Sequence, residues 1–151
     1  MTTAAPHAHG IHLGRKDIQL LAFGVGAVWA IVGILGFIPG ITQNYSDLKF
    51  FGPDSNAMLF NAFQTSMLLN LVQIAVGVVG VLMAMSSVGS RRFLTYFGGL
   101  YVVLAIFGFV TGTSSANIFA LSMVDSWFMI IVGLFMVGAA LYLTTNVEDQ
   151  T

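Results

Sequence analysis

Four long stretches of this chain, residues 18–39, 58–85, 93–111 and 121–143, contain no lysine or arginine, and their only acid is Asp125. Each is long enough to cross a hydrocarbon core of about 30 Å as an α-helix. The runs are continuous rather than alternating in polarity, so helices and not barrel strands are predicted, with every backbone polar group satisfied inside its own segment. The expected fold class is therefore all-α, an integral membrane four-helix bundle. A transmembrane domain over 18–145 is flanked by cytoplasmic tails at 1–17, predicted flexible, and at 146–151.

Composition narrows the chemistry. Charged residues are 7% and apolar residues 57% of the chain, the balance of a membrane protein. Cysteine is absent, which removes disulfides, thiolate zinc sites, iron–sulfur clusters and covalently attached haem. A net charge of −1 with five basic residues argues against a nucleic-acid partner. No serine nucleophile with its base, phosphate-cradling glycine loop or carboxylate pair can be assembled, so no enzyme is expected. No metal or other cofactor is expected either.

Arg15 and Lys16 precede the first helix and Arg91 and Arg92 lie in the second link, whereas the two opposite loops share only Lys49. By the positive-inside rule both termini are cytoplasmic in a bacterial inner membrane. The first run exceeds a signal-peptide core of about 7–15 residues and its Pro39-Gly40-Ile41-Thr42 exit lacks a small-x-small cleavage site, so it reads as a retained helix. His7, His9 and His12 have ligand chemistry but no scaffold to fix it, and read as a solvated tail. The NVEDQT end reads likewise.

Small residues mark the seams. Ala22, Gly26, Ala30 and Gly33 recur at helical spacing on the first helix, where they let a neighbour's backbone approach. On the second, Ser66, Asn70, Gln73, Gly77 and Gly80 share one face, which should pack inward. In lipid an unpaired amide costs several kcal/mol, so Asn70 and Gln73 must find partners in the protein, in water or on a ligand. The favoured expectation is that they are answered within the chain.

An internal repeat is also predicted. ILGFIPGIT at 34–42 resembles IFGFVTGTS at 106–114, an offset of 72, and setting Gly77 on Gly133 brings Ser66 onto Ser122, Asn70 onto Ser126 and Gln73 onto Met129. The halves start on one side of the membrane, so the repeat is parallel, about an axis along the membrane normal. Such an axis should bring matching faces of helices two and four together.

The stretches VGILGFIPGIT, NYSDLKFFGPDSNAMLFNAFQTSMLLNLVQIAVGVVG and DSWFMIIVG resemble the bacterial four-helix membrane proteins catalogued as the domain of unknown function 4383 family. The resemblance implies an inner-membrane protein with no established activity. It also implies histidines in a Leu-His-Asn-x-x-His run on the second helix and an Asp-Asn-Trp-x-His run on the fourth. Here those histidine positions hold Leu69, Gln73 and Met129, while Asn70, Asp125 and Trp127 match. Histidine ligation or proton relay, if the relatives use it, has no equivalent in this chain.

The first loop, QNYSDLKFFGPDSN, offers interfacial aromatics Tyr45, Phe50 and Phe51, and Asp54 or Ser55 as N-cap of the second helix. Lys49 is expected either to approach Asp125 within a few Å or to leave that acid capping the fourth helix with Ser122. Three functional classes follow. The first is a non-catalytic accessory subunit of a larger membrane complex, or a homo-oligomer. The second is a binder or carrier of a quinone or lipid between helices two and four. There Asn70 and Gln73 would hold its head, within a polar cluster of Ser66, Ser126, Asp125 and Lys49, and Phe63, Trp127 and Met129 would line the pocket. The third is a proton-coupled transporter using Asp125.

Overall fold

The computed structural model describes the backbone of residues 15–148 and the side chains of 17–143. The readings made for His7, His9 and His12, and for the end of NVEDQT, fall outside the described residues. Among the described residues four helices form, α1 at Arg15–Leu35, α2 at Met67–Met83, α3 at Ser87–Thr111 and α4 at Met123–Glu148. Three of them, α1, α3 and α4, are long and apolar enough to cross a membrane.

The second run departs from expectation at its start. Residues 58–64 are not helical but form two short strands, β2 at Met58–Leu59 and β3 at Phe63–Gln64, which pair antiparallel with β1 at Thr42–Gln43 in the order β1-β2-β3. Phe60 and Asn61 turn the hairpin with φ of 53° and 55°, a left-handed geometry that closes tight two-strand turns. Hydropathy reports burial, not conformation, and apolar side chains serve a buried hairpin as well as a helix. The helix proper is left with 17 residues, about 26 Å at 1.5 Å per residue.

Neither Asp54 nor Ser55 caps α2. Ser66 does: extended at φ −134°, it accepts a hydrogen bond from the Leu69 amide at 3.2 Å, while the Met67 and Leu68 amides donate to the carbonyls of Lys49 and Phe50 at 3.0 and 2.9 Å. The first turn's orphan donors are thereby met by a side chain and a loop. Ser55 instead pins that loop, accepting from the Lys49 amide and donating to the Thr65 carbonyl. The Ser66 hydroxyl also donates to the Phe119 carbonyl, tying α2 to the loop before α4. Ser66→Ala is therefore expected to cost about 1–2 kcal/mol, read as a lowered midpoint in detergent unfolding.

The helices pack as two close pairs, α1 with α2 and α3 with α4. In the first, a methyl placed on Gly77 would sit 2.3 Å from the Ala30 nitrogen, and one on Gly26 2.8 Å from the Gly77 carbonyl. In the second, Gly98 and Gly133 make the same mutual approach, 2.9 and 2.6 Å from each other's carbonyls. Gly36 faces the Asn70 side chain as Gly108 faces the Ser126 hydroxyl. These contacts map onto one another by the overlay read from the sequence, so the two pairs are built alike.

The expected packing of the matching faces of α2 and α4 is not found: these two helices are not among the closely packed pairs. The glycine face of α2 is filled mostly by α1, and that of α4 by α3, so the pairs join mainly through α1 and α3, with α2–α3 and α1–α4 contacts beside them. There Trp29 and Tyr101, 72 residues apart, lie ring to ring with centroids 5.3 Å apart. Trp29 also links the two apolar clusters, one around Phe93, Leu94 and Met136 towards the α2–α3 link, the other around Leu69, Leu121 and Met129 towards the sheet. The two loops at the sheet end are stitched together by the Gly52 amide donating to the Ile118 carbonyl at 2.9 Å. Asn117 closes the second loop by bonding Gly112 and Leu121.

Candidate functional site

At the sheet end the β2–β3 hairpin covers a cavity of about 110 Å³. Its walls are Val28, Trp29 and Val32 of α1, Leu69 and Gln73 of α2, Tyr101 of α3, and Asp125, Phe128 and Met129 of α4; Leu59, Phe60, Phe63, Gln64 and Thr65 form the cover. Aromatic rings interlock around it. Trp29 stacks on Phe128 at 6.2 Å and 13°, Phe128 meets the edge of Phe63 at 5.2 Å, and the Trp29 indole donates to the Tyr101 hydroxyl. That network stiffens a wall that carries few polar atoms.

The two carboxamides diverge. Asn70 lies in the first turn of α2, fully buried behind the cavity wall and under Gly36, with its Oδ1 accepting from Thr65 at 2.6 Å. Its Nδ2 has no partner. Gln73 lines the cavity, and its buried Oε1 also has none. The expectation that both amides are answered within the chain thus fails for one atom on each. The early start assigned to α2 had placed them mid-membrane, whereas the true start puts them near the sheet end. A buried orphan of this kind costs about 1–3 kcal/mol, and native proteins retain few of them.

Asp125 is 4% exposed and engaged locally: its Oδ2 accepts from the Ser122 amide at 2.8 Å and from the Ser122 hydroxyl, and its own amide donates back to that hydroxyl at 3.2 Å. This reciprocal arrangement is a capping box at the start of α4. Lys49 is exposed and, among the described residues, forms no ion pair with it; of the two expectations for Asp125, capping is the one found.

Among the other residues singled out in the sequence, Phe63 and Met129 line the cavity. Trp127 does not. It is 59% exposed on the far side of α4, against Phe109, and its neighbour Phe128 takes the pocket position. Ser66 and Ser126 are buried and outside the cavity, the first capping α2 and the second bonded to the Ser122 carbonyl under Gly108. Sequence reasoning missed Trp29, Tyr101, Gln64 and Thr65. Trp29 and Tyr101 carried a usable signal, since they occupy equivalent positions in the 72-residue repeat. Leu69, Gln73 and Met129, the three positions at which the family resemblance implies histidine, all line this one cavity.

Helices that cross a membrane, packed in pairs and capped at one end by a hairpin, define a multi-pass membrane protein. Over residues 19–142 the chain matches the family described as "Domain of unknown function (DUF4383)", and it belongs to that family. No curated protein and no solved structure matches it.

Proposed function

We propose that this protein is a non-catalytic binder of a membrane-borne small molecule, a quinone or lipid, whose polar end enters the cavity under the hairpin. The observation that carries this reading is the Gln73 carboxamide, whose Oε1 has no hydrogen-bond partner, in the wall of a chamber lined mainly by aromatic and aliphatic side chains with Gln64, Thr65 and Asp125 among them. A ligand with a carbonyl or other acceptor at its polar end can take a hydrogen bond from the Gln73 amide nitrogen. The cavity is far smaller than the roughly 300–1,000 Å³ that encloses a drug-sized molecule, so it suits a ring or head while the apolar remainder stays outside. Exposed Val28, Phe60 and Phe128 on its rim give that remainder an apolar exit. Arg15, Lys16, Arg91 and Arg92 support a bacterial cytoplasmic membrane with both termini inside, which sets the cavity near the opposite face.

Gentle solubilisation from native membranes followed by mass spectrometry is the test. A quinone or lipid retained in stoichiometric amount, and lost when Val32→Phe fills the chamber, is expected. Bulk lipid alone, in the proportions of the membrane, would refute the reading. A second reading, an accessory subunit or homo-oligomer, is favoured by Gly24, Gly99 and Gly138, on which an added methyl would meet nothing within 4 Å. Bare glycines on outward helix faces are where another helix can approach. A stoichiometric co-purifying protein, or a second copy of this chain, would favour it. The capping bonds of Asp125 give proton-coupled transport no such support.

A further inference from the structure

We infer that the head of the cavity's occupant is a quaternary ammonium, held among the aromatic side chains Trp29, Phe60, Phe63, Tyr101 and Phe128 beside the carboxylate of Asp125. The inference rests on the binding reading above and adds the ligand's chemistry, selecting a lipid-like amphiphile over a quinone. Two observations meet in it, a buried acid without a cation and a chamber walled by rings. Asp125 is 4% exposed and lines the cavity. Its bonded partners, the Ser122 amide and hydroxyl, are both donors, the set that suits an ionised carboxylate. Neutral donors spread that charge without cancelling it, and buried charges are as a rule paired. Among the described side chains the basic ones are Lys49, Arg91 and Arg92; all three are exposed, and the arginines lie more than two turns before Tyr101 on α3. None of them serves Asp125 as a counter-ion, and a cation in the chamber would.

The rings supply the rest. Trp29 and Phe128 stack nearly parallel, 13° apart, while Tyr101 stands at 58° to Trp29 and Phe63 at 61° to Phe128. Planes set at steep angles around one space are how aromatic cages hold a cation, which is drawn to ring faces within about 6 Å. A quaternary nitrogen suits such a wall because it has no N–H to satisfy. A primary ammonium brings three donors and a metal ion needs several oxygens, and a wall that is mainly carbon leaves both short.

Size agrees. The cavity of about 110 Å³ is several times the share of about 30 Å³ that one water takes, which gives room for a nitrogen with small alkyl substituents and not for a whole lipid. Phe60 and Phe128, exposed on the rim, let the chain leave towards the bilayer. An ester oxygen beyond the head can still accept from the Gln73 amide nitrogen.

The experiment uses the full chain in a neutral maltoside detergent, which carries no competing ammonium, with Trp127→Phe leaving Trp29 as the sole tryptophan. Quenching of Trp29 is titrated with three ω-bromohexyl probes whose heads are trimethylammonium, its uncharged isostere tert-butyl, and primary ammonium. Quenching of the exposed Trp127 in Trp29→Phe gives the background from the micelle. The trimethylammonium probe is expected to bind about tenfold more tightly than either of the others. Asp125→Asn, which keeps an oxygen for the Ser122 amide, should bring it down to the affinity of the isostere while the isostere still quenches, which shows that the variant is folded. Equal affinities in the parent between the trimethylammonium probe and either other head, or a preference over the isostere that survives Asp125→Asn, would overturn the quaternary ammonium assignment and leave the binding reading standing. Quenching no greater than background by all three would overturn both.

Discussion

Gly77→Leu is expected to destabilise the bundle by at least about 3 kcal/mol, read as a collapse of the folded fraction in a mixed-micelle unfolding titration. A side chain there begins 2.3 Å from the Ala30 nitrogen and 2.6 Å from the Gly26 carbonyl, and both obstacles are backbone. No rotamer change can clear them, so α1 and α2 must separate. In lipid no hydrophobic force holds two helices together, and their association rests on close packing and interhelical bonds. A gap of even 0.5–1 Å forfeits about a quarter to a half of each dispersion contact along the seam. Gly133→Leu should do the same to α3 and α4, because its added atom lies 2.6 Å from the Gly98 carbonyl. Gly24→Ala is the control, with nothing within 4 Å, and should change stability by less than about 0.5 kcal/mol.

Those seams were legible because a close helix approach leaves a local mark, small residues at helical spacing, and the same mark recurs in each half. The absence of charge located α1, α3 and α4 for the same kind of reason, since lipid tolerates neither ions nor open backbone. The start of α2 left a weaker mark. Residues 58–64 are as apolar as a helix, and only the polar pair Thr65-Ser66 ahead of Met67 announces the cap. Reading the helix from Met58 displaced both amides towards its middle and hid their place beside the hairpin.

The cavity was harder still, because four helices and the hairpin build it and no contiguous motif spans them. Gln73 emerged from a face pattern and Met129 from the repeat, and both line the cavity with Phe63. Trp127 was misplaced by a single residue, but one residue turns a helix by about 100°, enough to move a ring from lipid to pocket. Asn70 and Gln73 differ by about 60° around α2, and that difference sends one under Gly36 and the other to the cavity wall.

Gln73 also sets up a test in which losing a polar group strengthens the protein. With no ligand present its Oε1 is a desolvated acceptor without a donor, at a cost of about 1–3 kcal/mol. Gln73→Leu removes that acceptor and adds methyl groups next to Leu69, Phe63 and Met129, which already line the cavity. The empty variant should therefore unfold at a higher denaturant midpoint than the empty parent, by an amount equal to about 1–3 kcal/mol. An amide with a merely structural role would give the opposite sign, because its removal would take a bond away.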